Sequence, residues 1–330
     1  MGECTLSAVS EATAVAHPNI ALAKYWGKRD VAGNVPSVPS LSVTLSGMAT
    51  RTLVRFDEAL AGDRVVLNGE PATPRAHARV VELLDRVRQA GGESRRAFVQ
   101  SANDFPTASG LASSASGFAA LALAAVRAVP SLDWSIEQVS DLARQSSASA
   151  ARSLFAGFAE LETDGCARAV AAPEHLDMRV LVCVVTEDKK PLSSTSGMQE
   201  TAIRSPYYRA WLEAAPEIYA SMKSALAARD WEALGELSER SALAMHACAL
   251  AAGIFYVRGV TLELMTAVRS LRDHGLAAYF TVDAGPHVKV LVRTSDAARA
   301  KQTLEGTRGV LRVLETRPGN GATVVVPAEV

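Results

Sequence analysis

The chain has 330 residues, of which 48% are hydrophobic, enough for a sizeable core and for about two domains at roughly 150 residues each. General disorder is therefore excluded. With 34 Lys and Arg against 35 Asp and Glu the net charge is −1, so nucleic acid finds no basic excess and any anionic ligand must be met by a local cluster. Aromatic residues, at 5%, are too sparse for base-stacking platforms or membrane belts.

The first residues carry Glu3 and no apolar run, so they do not read as a signal peptide. Residues 42–45 and 52–56 have strand composition. Residues 64–67 (RVVL) followed by Asn68-Gly69 predict a hairpin, because Asn-Gly accepts the positive φ angles of a type I′ turn. Thr73-Pro74 then opens a helix, with Thr as N-cap and Pro at the first helical position. Val80, Leu83, Leu84 and Val87 supply its apolar stripe, and Gly91-Gly92 ends it. A strand at 97–100 leads into a loop over 101–111 and a small-residue helix over 113–129.

A second helical stretch is expected over 135–158. The continuous apolar run 178–185 suits a buried strand. Past Thr186 amphipathic helices are expected at 207–228, 231–247 and 259–274. Strands at 277–282 and 288–292, a helix from Asp296 and two last strands complete the chain. The order implies α+β packing in two lobes, 1–186 and 187–330. Cys4, Cys166, Cys183 and Cys248 lie far apart with no C-x-x-C spacing, as in a reduced cytoplasmic protein. No run reaches 18 apolar residues, so no membrane span is expected.

Four segments carry residues suited to chemistry. The loop 103–117 (NDFPTASGLASSASG) follows a strand and opens a helix, and its small side chains let backbone N–H groups approach phosphate. An ordinary Ser-capped core helix fits equally well. It is not a Walker A motif, since no Gly-Lys-Ser/Thr occurs. Residues 19–30 (NIALAKYWGKRD) hold two lysines, an arginine and two aromatics, a set that grips phosphate. Read alone, a solvated basic turn after a strand accounts for them more simply. In 145–153 (QSSASAARS) helical spacing puts Ser149 and Arg152 on one face, suited to a carboxylate or phosphate; an exposed polar helix start is the plainer alternative. Residues 282–287 (VDAGPH) put an acid at the end of an apolar strand, the place of a catalytic carboxylate or of a turn. His287 reads as a turn residue or as a ligand contact.

Together these segments closely resemble the mevalonate diphosphate decarboxylase family of the GHMP kinase superfamily. The matching strings are NIALAKYWGKRD (19–30), FPTASGLASSASG (105–117), SASAARSLF (147–155), KKPLSSTSGM (189–198) and DAGP (283–286), in the family's order and spanning most of the chain. The first is specific to this branch, whereas the Ser-rich loop marks only the superfamily. The resemblance implies a GHMP kinase-like two-lobed fold, with a ribosomal protein S5 domain 2-like N-terminal lobe, an α/β C-terminal lobe and the active site in the cleft. It implies that ATP phosphorylates the 3-hydroxyl of mevalonate 5-diphosphate, after which phosphate and carbon dioxide leave and isopentenyl diphosphate forms.

Carried over residue by residue, Asp283 resembles the acid that orients or deprotonates the 3-hydroxyl, and Lys24 the lysine at the transferring phosphoryl group. Arg152 resembles the arginine on the substrate carboxylate. Tyr25, Lys28, Ser147 and Ser149 match residues around the 5-diphosphate with Met198 beside them, and Asn19 a polar contact near C3. Gly110, Leu111, Ala112, Ser113 and Ser114 match the ATP phosphate loop. Mg²⁺ is the implied metal, with Ser113 and Ser114 beside it. A homodimer acting on small molecules, with no nucleic acid or membrane partner, is implied as well. Two departures stand out: Ala148 where the family usually has Gly, and His287 where it commonly has Asn. The competing activities are a decarboxylase of mevalonate 5-phosphate, a mevalonate kinase that stops at phosphorylation, and a non-catalytic ligand sensor.

Overall fold

A computed structural model describes residues 10–105, 113–188 and 192–325. The chain opens with β1 (Ser10–Ala16) and β2 (Asn19–Ala23), then the short pair β3 (Lys28–Asp30) and β4 (Val35–Pro36). β5 (Ser40–Thr44) is buried along its length, while β6 (Thr50–Asp57) buries every second residue, as a sheet with one covered face requires. β7 (Arg64–Leu67) and β8 (Glu70–Pro71) form the expected hairpin, with Asn68 at φ 50° and Gly69 at φ 86°. α1 (Pro74–Gly91) starts where Thr73 accepts the Ala76 amide and ends at Gly92 with φ 66°; Val80, Leu83, Leu84 and Val87 face inward.

β9 (Arg96–Asn103) leads towards α2 (Ser113–Arg127), whose Ala-rich buried face lets the helix lie close on the sheet. The stretch expected to stay helical to 158 does not. It divides into α3 (Ile136–Ser146) and α4 (Ala148–Arg152), because Ser147 adopts an extended conformation with φ −157°. Serine competes for backbone hydrogen bonds and propagates a helix poorly. Gly157, at φ 62°, then turns the chain into β10 (Phe158–Leu161), followed by β11 (Ala167–Ala171).

β12 (Arg179–Val184) precedes α5 (Ser194–Arg204), a helix absent from the sequence-based expectation. α6 (Tyr208–Ala228), α7 (Trp231–Ala251) and α8 (Gly259–Asp273) follow as expected. β13 (Tyr279–Val282), β14 (Val288–Val292), α9 (Ala297–Glu305), β15 (Arg312–Thr316) and β16 (Thr323–Val324) complete the described chain.

Three main sheets result, with strand orders β16-β1-β6-β9-β7-β8, β11-β10-β5-β2 and β13-β14-β12-β15. Only β7 and β9 pair in parallel among the described strands. One core lies between the six-stranded sheet and helices α1 to α4. A second joins β2, β5 and β10 to β12, β13, β14, α6 and α7, which binds the first lobe to the second. A third fills the opposite face of the last sheet, under α8 and α9. β12 thus belongs with the C-terminal strands, and β16 returns to pair with β1. This is the mixed α and β two-lobed architecture expected, with the end of β2, the start of α4 and the end of β13 meeting between the lobes.

Candidate active site

Lys24 follows directly on β2, and Asp283 follows directly on β13 in the other lobe. Lys24 Nζ donates to Asp283 Oδ1 at 2.6 Å and to the Ala21 carbonyl at 2.8 Å, while its backbone amide donates to Ser241 Oγ on α7 at 2.9 Å. Thr281 on β13 reaches the same Ala21 carbonyl, so the two lobes are stitched at this point. Burial pulls the Lys24 ammonium down to about 8 against the attraction of Asp283. For Asp283 burial acts upward, but Lys24 and Lys289 outweigh it and hold the carboxyl far below the ordinary carboxylate range. His246 on α7 is buried beside both, and burial with Lys24 nearby lowers it to about 4, so it is neutral at working pH.

Arg152, at the last turn of α4, is 1% exposed. Its Nε donates to Ser42 Oγ at 2.9 Å and one terminal nitrogen to Ser40 Oγ at 2.7 Å, which fixes the plane of the guanidinium. Its Nη2 has no described protein partner and is free for a ligand. Burial lowers this guanidinium to about 10, still charged at neutral pH. Asn19 spends both amide hydrogens on the Ser149 carbonyl and Ser153 Oγ, each at 2.8 Å. What it offers a ligand is therefore its oxygen, an acceptor.

Lys28 Nζ donates to Asn34 Oδ1 at 2.5 Å and to Thr195 Oγ1 at 3.3 Å. Asn34 is in turn anchored on the Gln145 carbonyl at the end of α3, at 2.7 Å. Burial, with Arg79 nearby, lowers the Lys28 ammonium. The Tyr25 hydroxyl is buried without a described hydrogen-bond partner, and burial raises its pKa, so it stays a neutral donor. Ser147 and Ser149 face each other, Oγ to Oγ, at 3.3 Å.

Asn19, Lys24, Tyr25, Lys28, Ser147, Ser149, Arg152 and Asp283 line one open cavity of about 710 Å³, together with Ser113, Ser114, Ala148 and Met198. A volume of that order suits a substrate with a bound nucleotide's phosphates. The sequence-based set is thus brought together, except Gly110, Leu111 and Ala112, which lie outside the described residues. His287 does not line the cavity: it is 1% exposed, and its Nδ1 accepts the Val185 amide at 3.2 Å. Ala148 does line it and is buried.

Sequence reasoning missed several lining groups, among them Asn34, Arg75, Arg79 and Thr195. Arg75 and Arg79 share a face of α1 four residues apart, a spacing that was readable but unassigned. Arg79 also lines a smaller cavity of about 270 Å³, with Asn68, Ser101, Asn103, Ser113, Ser114 and Phe118. Its guanidinium stacks 4.4 Å from the Phe118 ring centre and donates to the Ser146 carbonyl at 2.7 Å. The two cavities share Arg79, Ser113 and Ser114 in their linings.

No group of three or more His, Cys, Asp or Glu able to hold a metal occurs among the described residues. A magnesium ion carried by nucleotide phosphates needs no such cage, since it keeps waters and takes few protein oxygens. Ser113 and Ser114, which line both cavities, carry hydroxyl oxygens of the kind such an ion takes.

Residues 16–171 match the family described as "Diphosphomevalonate decarboxylase-like N-terminal domain". Residues 180–315 match the "Mevalonate 5-diphosphate decarboxylase C-terminal domain". The diphosphomevalonate decarboxylase of Candida albicans is 35% identical over 303 residues, covering 84% of this chain and 83% of its own. The crystal structure of mevalonate diphosphate decarboxylase from Staphylococcus aureus superposes with a TM-score of 0.93 at 34% identity, over 97% of this chain and 99% of that one. A structure of MDDEF in complex with MVAPP, AMPPCP and magnesium superposes at 0.90 and 36% identity, over 96% of this chain and 99% of that one. With both halves of the chain matched and a cleft built from the residues the motifs single out, this protein belongs to the diphosphomevalonate decarboxylase family.

Proposed function

We propose that the chain converts mevalonate 5-diphosphate, ATP-dependently, to isopentenyl diphosphate, ADP, phosphate and carbon dioxide. The observation that carries this reading is the Lys24–Asp283 ion pair facing the same cavity as the Arg152 guanidinium. Those are the three charges the reaction calls for: one at the hydroxyl, one at the phosphoryl group and one at the carboxylate. The relatives named above are decarboxylases of the diphosphate, which favours the full reaction over a kinase alone and over the monophosphate.

The chemistry follows from the substrate. A 3-hydroxy acid has no carbonyl electron sink, so loss of carbon dioxide requires a good leaving group at C3. Phosphate is one and hydroxide is not. In the first step the 3-hydroxyl oxygen attacks the γ-phosphorus, the bond to ADP breaks, and Asp283 takes or orients the hydroxyl proton. In the second the C3–O bond breaks to release phosphate. The electrons of the carboxyl–C2 bond then become the C2–C3 double bond as carbon dioxide departs. Once the proton taken by Asp283 has passed to the departing phosphate, the restored Asp283 carboxylate favours positive charge growing at C3.

The remaining roles follow from the donors each residue has left. Asn19 offers its oxygen to the 3-hydroxyl, and Arg152 offers Nη2 to the carboxylate. Lys24 stabilises the transferring phosphoryl group. Tyr25, Lys28, Ser147 and Ser149 hold the 5-diphosphate, with Met198 beside it. The smaller cavity takes the nucleoside of ATP, and Ser113 and Ser114 lie where its phosphates and Mg²⁺ pass. The bound ion supplies charge neutralisation of those phosphates. Gly110, Leu111 and Ala112, outside the described residues, are assigned to phosphate binding by their motif.

No helix among the described residues is long and apolar enough to cross a membrane. Cytoplasmic residence accords with free Cys166, Cys183 and Cys248. The protein acts as a homodimer, which sedimentation equilibrium tests; a monomer at micromolar concentration contradicts it. The functional reading itself is tested by supplying mevalonate 5-diphosphate with MgATP and following ADP and isopentenyl diphosphate, with a variant lacking the Asp283 carboxylate as the control.

A further inference from the structure

Lys289 is the second residue of β14, opposite Thr281 on β13 and Val182 on β12. It is 2% exposed, on the sheet face that carries Val182 and Leu291 into the core between the lobes. Its ammonium stands 3.0 Å from Asp283 Oδ2, off the line of a well-directed hydrogen bond, and makes no other described ion pair. Lys289 does not line the cavity, whereas Asp283 and Lys24 do. A methionine would serve this row of the core as well as a lysine, and burying a charge without a purpose is costly. What the ammonium supplies is a second cation on a carboxylate whose other oxygen already meets Lys24.

The need for it appears when the site fills. The substrate carboxylate and the transferring phosphoryl group are both anionic, and both push a buried carboxyl towards protonation. Lys24 is shared between Asp283, the Ala21 carbonyl and the phosphoryl group, so its hold on Asp283 weakens as the phosphoryl group arrives. The charged and titratable groups facing Asp283 are Lys24 after β2, Arg152 on α4, His246 on α7 and Lys289 on β14. Of these, His246 is neutral and Arg152 is assigned to the substrate. Lys289 makes its one described ion pair with Asp283; the other titratable groups it faces, the Cys183 thiol on β12 and the neutral His287 imidazole, carry no charge to compete for it.

We infer that Lys289 is a positioning residue for the reaction: it pins Oδ2 of Asp283 from the sheet side and keeps that carboxylate ionised beneath an anionic substrate. The inference rests on the role proposed above for Asp283. Lys289→Met should lower kcat about 10–100-fold while KM for ATP and for mevalonate 5-diphosphate changes less than about threefold. The acid limb of the kcat profile, which reports the bound complex, should move up by about 1–3 pH units. Lys289→Arg, which retains the charge, should recover part of the loss and return the limb towards that of the parent.

An unchanged kcat, or a loss uniform across pH with the limb unmoved, overturns the inference. Should Lys289→Met fold poorly, thermal denaturation of Asp283→Asn and of the double variant decides the matter. Asp283→Asn leaves two buried ammonium groups without their carboxylate, so adding Lys289→Met should raise its melting temperature; a further fall overturns the pairing. Near-parental turnover by Asp283→Asn defeats the reading of Asp283 itself, whereas an inactive Asp283→Asn beside an indifferent Lys289→Met defeats only this inference.

Discussion

Asp283 is the residue on which most depends. Asp283→Asn keeps size and some hydrogen bonding but cannot take the hydroxyl proton, so turnover should fall about 10²–10⁴-fold with substrate binding largely intact. Single-turnover ADP release checks it, and near-normal rates in a folded variant would make Asp283 a turn residue. Arg152→Lys should hurt more than retention of charge implies, because Ser40 and Ser42 are placed for a planar guanidinium and an ammonium meets a carboxylate only as a point charge. The expected outcome is a raised KM for mevalonate 5-diphosphate with ATP affinity little changed; failure of ATP binding instead would move this arginine to the nucleotide side. For Lys24 the sign is set by burial: its ammonium, lowered to about 8, is lost as pH rises through that value. Thus kcat/KM should decline above about pH 8, and a profile flat to about pH 10, where an ordinary lysine titrates, would contradict the assignment.

At this scale the residues that face the cavity were readable and the ones behind them were not. Lys24, Tyr25, Lys28 and Arg152 stand in dense polar or basic strings, and Asp283 stands beside Gly-Pro. Lys289 looks like an ordinary strand lysine, and Ser40 and Ser42 like ordinary strand serines. Their meaning arises only when β14 is laid beside the end of β13, and β5 beneath α4. No local spacing encodes those meetings.

Among the elements, α1 was fully legible because its caps are chemical: Thr73 accepts an amide, Pro74 fixes φ, and Gly92 adopts the left-handed conformation. α5 was not, because Ser193, Ser194, Thr195, Ser196 and Gly197 have loop composition. It is held as a helix by the Ser193 cap on the Ser196 amide and by packing against Trp26 and Tyr256. A Cβ at Gly197 would collide with the Tyr256 hydroxyl and stand 3.3 Å from Trp26. Gly197→Ala should therefore push α5 outward, costing about 1–3 kcal/mol in stability. Because α5 carries Met198 and Thr195 into the cavity, KM for mevalonate 5-diphosphate should rise as well. Denaturant unfolding and steady-state kinetics check both effects, and parental values for both would show that the helix position is unimportant.

Across the whole molecule, the alternation of strand and helix and the two-lobed plan were legible from periodicity and composition. The passage of β12 into the last sheet and the return of β16 to β1 were not, since strand pairing between distant segments leaves no local trace. That crossing matters for function, because it makes the core between the lobes continuous and fixes Asp283 against Lys24 across it. The diphosphate contacts proposed above also belong to the assembled site: Lys28 comes from β3, its anchor from Asn34, and Thr195 from α5. Charged hydrogen bonds of about 1.5–3 kcal/mol each correspond to roughly 10–150-fold apiece. Lys28→Ala combined with Tyr25→Phe should thus lose efficiency on mevalonate 5-diphosphate while changing little on the 5-phosphate. An equal loss on both would place these side chains elsewhere.

On the proposed function, phosphorylation and decarboxylation occur together in this cleft on the diphosphate substrate. Measuring ADP and carbon dioxide in the same reaction, with MgATP and mevalonate 5-diphosphate, 5-phosphate or unphosphorylated mevalonate, tests it most directly. Equal amounts of ADP and carbon dioxide are expected, with the 5-diphosphate turned over far more efficiently than either of the others. ADP formed without carbon dioxide, or a preference for the 5-phosphate, would contradict it.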